Sequence, residues 1–135
     1  LTITCTTPVD IDVAGRAVTT SSSLVLTNAP FIISGDLQNL GNNTITSMDI
    51  NYSIDGGTAN TENVSSLSLA TGDYYSFNHG SNWSPANPGT YTIDIWASNI
   101  NGSTDMNTTN DTVSASVTVY ANGTLRCRRG ARMRK

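Results

Sequence analysis

Apolar and polar residues alternate with a period of two in several short segments of this chain, and turn residues separate the segments. That spacing is the signature of a β-sandwich or barrel. Val9 to Val13 sets Val9, Ile11 and Val13 against Asp10 and Asp12, which predicts a half-buried first strand. Gly15 to Ser23 is small and polar and reads as a loop or irregular edge. Leu24 to Leu26 and Phe31 to Leu37 predict a second strand region, broken at Asn28-Ala29-Pro30. The cleanest alternation lies in Ile45 to Ile54, with Met48, Ile50, Tyr52 and Ile54 on one face and Asp49, Asn51 and Ser53 on the other. Asp55-Gly56-Gly57 then ends the strand, because its central positions tolerate positive φ. Val64, Leu67 and Leu69 predict a weaker strand, and Tyr74 to Phe77 another. Asn78 to Asn87 reads as a long loop. In Thr90 to Ser98, Tyr91, Ile93, Ile95 and Ala97 alternate with Thr92, Asp94, Trp96 and Ser98. Asn99 to Asp111 is a polar loop, and Thr112 to Tyr120 closes the domain with Val113, Ala115, Val117 and Val119. No segment has helical spacing. The pattern predicts an all-β, antiparallel sandwich of seven to eight strands, with Tyr52, Ile54, Tyr91, Ile93, Ile95, Val117 and Val119 between its sheets.

Composition agrees. The 135 residues suit one domain, and Asn, Ser and Thr dominate while Glu62 is the sole glutamate and Lys135 the sole lysine. Such a chain favours strands and turns. No apolar run approaches the ~20 residues of a membrane helix. The chain opens at Leu1 with no leader pattern, so it reads as a segment of something longer.

Charge divides the chain. All ten acidic residues precede Asn122, whereas six of the seven basic ones lie in Arg126 to Lys135. The expected organisation is an N-terminal extension over 1–8, a sandwich over 9–121, and a basic tail over 122–135 outside the fold. Charge alone could draw such a tail to nucleic acid or anionic lipid, but it lacks interleaved aromatics and follows an acidic body, so no nucleic-acid partner is expected. Cys5 and Cys127 stand at opposite ends, and two unpaired thiols are the favoured reading, with a disulfide as the alternative. No Cys/His cluster forms a zinc pattern.

Leu37-Gln38-Asn39-Leu40-Gly41, Asp55-Gly56-Gly57, Pro88-Gly89-Thr90-Tyr91 and the loop ending Asn110-Asp111-Thr112 resemble the CARDB type of immunoglobulin-like module, a cell-adhesion-related domain of bacteria. The resemblance covers about residues 9–120. It implies an immunoglobulin-like or fibronectin III-like sandwich, carried in large secreted or cell-surface proteins beside enzyme or adhesion domains, with no family-wide catalytic residues. The acidic cluster usual before the last strand is thinner here. Tyr91, two residues after Pro-Gly, stands where a tyrosine corner would pin the penultimate strand.

Candidate chemistry is sparse. His79 is the only histidine, with Ser81 and Asp73 nearby, but no nucleophile elbow accompanies it, and an exposed loop histidine is the simpler reading. Paired carboxylates for glycoside hydrolysis are lacking. Asp105, Asn107, Thr109 and Asp111 recur at every second position, a spacing at which oxygen ligands wrap calcium. The glycine and terminal glutamate of an EF-hand are missing, so the choice is a partial calcium loop or a solvated turn. Trp96 faces away from the apolar series. With Trp83, Tyr74 or Tyr75 it could form a platform for a sugar ring, or it could be covered by the N-terminal segment or a neighbouring domain. The Asn-x-Ser/Thr triplets would be glycosylation acceptors only in a eukaryotic secreted protein. The expected function is therefore a non-catalytic accessory or adhesion module of a secreted or surface protein, acting on neighbouring domains or a surface protein or glycan. The alternative is a carbohydrate-binding module.

Overall fold

The computed structural model describes residues 9–121. It contains eight strands: β1 (Val13–Val18), β2 (Ser23–Val25), β3 (Ser34–Asn39), β4 (Met48–Ile54), β5 (Asn60–Val64), β6 (Tyr74–Asn78), β7 (Gly89–Ser98) and β8 (Val113–Tyr120). Two single 3-10 turns, Leu26–Asn28 and Thr108–Asn110, are the only helical elements among the described residues. One sheet has the order β1-β3-β6 and the other β2-β8-β7-β4-β5. The sheets face each other over one core, so the expected all-β sandwich is the observed fold. The expected basic tail, the N-terminal extension and both cysteines lie outside the described residues.

The alternating residues build the core as the pattern requires. Ile50, Ile93, Ile95, Val117 and Val119 are fully buried, together with Val13, Ile33, Leu37, Ile45 and Met48. Tyr52 joins them and donates its hydroxyl to the Ser81 carbonyl at 2.9 Å. Ile54 and Tyr91 lie at the rim, half-buried. Tyr91 packs edge-on against Trp83, with centroids 5.0 Å apart, and donates to the Asn87 carbonyl at 2.5 Å. That bond back to residues just upstream is a tyrosine corner, and it fixes where β7 enters the sheet.

Four local expectations are corrected. Val9 to Val13 is not a strand; β1 begins at Val13 and occupies much of the segment expected to be loop. The Val9–Asp12 backbone is instead claimed by two loops. Asn42 N–H donates to the Val9 carbonyl, Leu40 N–H to that of Asp12, and Met106 N–H to that of Ile11. Its alternation reflects burial of Ile11 and Val13 without a ladder, and Val9 is exposed. Second, not every pairing is antiparallel: β2 runs parallel to β8, with Leu24 opposite Val119. The chain crosses between sheets after β1, and the short β2 covers what would otherwise be an open edge of β8. Third, the weak strand is shifted to β5, and Leu69 makes only an isolated bridge to Ile45. Fourth, the polar face of β4 is not solvated. Asn51 and Ser53 are buried because β4 runs inside the sheet between β5 and β7, and Asn51 is bonded to both flanking strands. Its amide donates to the Trp96 carbonyl and Ser98 Oγ, and its oxygen accepts from Thr61 Oγ1.

Candidate metal centre

At one pole of the sandwich the β7–β8 loop folds back over the entry to β1. Met106 N–H donates to the Ile11 carbonyl, and Val13 N–H donates to Asp105 Oδ2, both at 2.8 Å. The second oxygen of Asp105 accepts from Asn107 N–H, also at 2.8 Å. The carboxylate thus closes a local turn and pins a loop to a strand 92 residues away. Two glycines permit the approach. A Cβ on Gly41 would stand 2.9 Å from Asp12 N, and one on Gly15 would stand 2.7 Å from the Asp111 carbonyl. Any side chain at either position would push apart the segments that carry Asp12 and Asp111.

The result is a cluster of three carboxylates, Asp12, Asp105 and Asp111, with one oxygen of each within 4.8 Å of the others. Asp12 and Asp105 are 5% and 8% exposed. Among the described residues no basic side chain enters the cluster. Asn110 Nδ2 makes only a long donation to Asp12 Oδ2, at 3.4 Å. Three buried oxygens have no hydrogen-bond partner among the described residues: Asp12 Oδ1, Asn110 Oδ1 and Asp111 Oδ1. Burial, and then the Asp105 charge and hydrogen bond and the Asp12 charge, push Asp111 up to about 6. Burial is also the main force raising Asp12, reinforced by Asp105 and tempered by the Asn110 and Asn107 amides. Like charges gathered in a partly desolvated place, with acceptors left unsatisfied, are costly for a protein to maintain. An oxygen-seeking cation removes that cost, and a purely oxygen donor set suits calcium or magnesium over a metal that prefers sulfur or imidazole.

The sequence-derived set is therefore partly reassembled. Asp105 and Asp111 come together, but the Asn107 oxygen is turned away to accept from Thr109 Oγ1 at 2.7 Å, capping the 3-10 turn. Asp12 and Asn110 complete the cluster and were not singled out by the loop spacing. The only local hint at Asp12 is a carboxylate between two core residues, Ile11 and Val13.

The two tryptophans part company. Trp83 is 9% exposed and stacks in the core with Phe31 and Tyr91, so it is no surface platform. The loop expected to be solvated carries it inward, anchored by paired backbone bonds between Phe31 and Trp83. Trp96 is half-buried on the far side of its sheet and lines a cleft of about 460 Å³ that also reaches Asp105 and Asp111. Tyr74 is exposed on β6, in the other sheet. His79 is not an exposed loop residue but is 2% exposed. Its Nδ1 accepts from Ser81 N–H and its Nε2 meets the Ile50 carbonyl, both at 3.0 Å, with the ring edge-on to Tyr52. The Ser81 contact uses backbone, so no nucleophile–base pair exists between these two.

No known family model matches the sequence, and no curated protein matches it. Among solved structures the chain is similar to the CARDB domain of the PF1109 protein from Pyrococcus furiosus, determined in complex with di-metal ions. The TM-score is 0.66 at 20% identity, covering 87% of this chain and 100% of that one. A solution structure of the same domain gives a TM-score of 0.51. A domain of a Methanosarcina acetivorans protein whose name places it at the cell surface gives 0.64 at 22% identity, covering 82% of this chain and 92% of that one. These likenesses establish the fold as the immunoglobulin-like sandwich of CARDB domains. Among the described residues no helix is long and apolar enough to cross a membrane.

Proposed function

We propose that this chain is a non-catalytic accessory domain of a larger secreted or surface protein, and that it holds a divalent cation at its β7–β8 pole, with calcium the best chemical match. The observation that carries the reading is the trio of unpartnered buried oxygens on Asp12, Asn110 and Asp111. The presence of di-metal ions in the PF1109 domain supports it by analogy of fold. Asp12 and Asp111 would hold the ion, with the Asn110 oxygen as a neutral ligand. Bound there, the ion would neutralise the carboxylates and tie the β7–β8 loop to the segment before β1. A pole stiffened in this way suits a module that spaces or orients its neighbours or presents an adhesive surface, and the surface-protein neighbour favours an extracellular setting.

The test is thermal denaturation with and without calcium. Extracellular oxygen sites bind at about 10⁻⁴–10⁻³ M, so 5 mM calcium should add about 1–2 kcal/mol by mass action. That corresponds to a rise of roughly 4–10 °C in Tm, and magnesium should give less. Asp12→Asn and Asp111→Asn should each abolish most of the rise while leaving the fold intact, because neither carboxylate closes a backbone contact. Wild type that shows no shift at 5 mM calcium would end the cation reading.

A further inference from the structure

We propose that the cleft between Trp96 and the Asp105–Asp111 loop binds a neutral sugar, with the indole as the apolar wall and the cation pole as the polar one; this rests on the cation reading above. Trp96 is the first observation. It lies on the face of β7 turned away from the core and packs against no part of the core cluster. Its neighbours on that face are polar and committed to one another. Asn51, its cross-strand partner, is locked between Ser98 and Thr61, and Asn63 donates to Asp49 Oδ1 at 2.9 Å. An indole set among interlocked polar groups adds nothing to the core, and Trp96 lines the cleft.

The cleft itself is the second observation. Its volume of about 460 Å³ falls in the range of small-molecule sites. Beyond Trp96 its wall is short and polar, including Ser98, Asn99 and Thr104, and it ends on Asp105 and Asp111. Among the described residues the lining holds two carboxylates and no cationic side chain, which disfavours a phosphate or other anion. A sugar ring matches both walls. Its C–H face suits the flat, amphipathic indole, and its hydroxyls suit the amide and hydroxyl groups opposite. Asp111, which carries one of the unpartnered oxygens, also lines the cleft, so a ring hydroxyl there can join the six to eight oxygens that calcium takes.

The experiment is an array of immobilised neutral oligosaccharides, built from hexoses and deoxyhexoses, probed with the 135-residue chain in 5 mM calcium and in EDTA. Each sample is paired with its calcium-dependent Tm shift. The expected result is retention of at least one glycan in calcium, loss in EDTA and in Asp12→Asn, and at least a tenfold loss in Trp96→Ala with the calcium Tm shift unchanged. Trp96→Phe, which keeps an aromatic face, should retain part of the binding and guards against a misfolded alanine variant. Calcium that raises Tm while no glycan is retained overturns the sugar assignment and leaves the cation reading standing. Retention that survives EDTA or Trp96→Ala overturns it as well. Absence of any calcium shift brings down both.

Discussion

Without metal, the acidic pole should make this domain less stable at neutral pH than at mildly acidic pH. Asp111 has a folded-state value of about 6 against 3.8 for an ordinary carboxyl, because burial and the neighbouring Asp105 and Asp12 oppose its ionisation. A carboxyl whose folded value lies above its unfolded one binds its proton more tightly in the folded chain. Its contribution is complete below the unfolded value and is lost as pH rises through the folded one, between about 4 and 6. Two units at 1.36 kcal/mol each set a ceiling of ~3 kcal/mol, which solvent screening at a half-buried loop reduces to about 1–2. Other carboxylates titrate in the same range, so the informative quantity is a difference. Differential scanning calorimetry of wild type and Asp111→Asn in metal-free, low-salt buffers should show the wild type losing about 3–8 °C relative to the variant between pH 4.5 and 7.5. Calcium should reverse the sign, since its ligands must be ionised and its stabilisation therefore grows with pH. Parallel pH profiles for wild type and variant in the absence of metal would refute the electrostatic account of the cluster.

Three further outcomes follow from packing and hydrogen bonding. Asp105→Ala removes the acceptor of Val13 N–H and Asn107 N–H and should cost about 1–3 kcal/mol in urea denaturation, with or without calcium, unlike Asp12→Asn. His79→Ala leaves the Ile50 carbonyl and Ser81 N–H without their partner and opens space beside Tyr52, for a loss of about 2–4 kcal/mol. Tyr91→Phe deletes only the bond to Asn87 and should lower stability by ~1 kcal/mol without altering the calcium response.

The fold was legible because a sandwich repeats one simple rule along the chain. Tyr91 to Ala97 alternates in sequence and in burial, whereas Met48 to Ile54 alternates in sequence alone, because Asn51 and Ser53 are buried between the flanking strands. The rule fails where burial and strand pairing separate. Ile11 and Val13 face the core in the expected rhythm, yet the backbone before Val13 bonds to the β3–β4 turn and the β7–β8 loop. Trp83 and His79 sit in a stretch so polar that it reads as solvated, and both are buried because Phe31 and Tyr52 need partners at the end of the core. Nothing in the composition of Asn78 to Asn87 distinguishes a loop that folds inward from one that does not.

The acidic pole was half legible for a different reason. The spacing of Asp105, Asn107, Thr109 and Asp111 describes a loop wrapping an ion by itself, with alternate side chains turned inward. The structure uses that loop otherwise: Asp105 spends both oxygens on backbone N–H groups, and Asn107 caps the turn that follows. What remains for an ion comes from Asp111, its neighbour Asn110, and Asp12 from the far end of the domain. The site exists only once β1 has docked against β7 and β8, so in the unfolded chain its carboxylates have no reason to meet. Under the proposed cation reading, ion binding would then report on closure of the whole sandwich and not on the loop alone. A peptide spanning Asn99 to Asp111 should accordingly show no calcium affinity in the millimolar range, while the intact domain does. A peptide that binds as well as the domain would return the site to the loop and leave Asp12 a bystander.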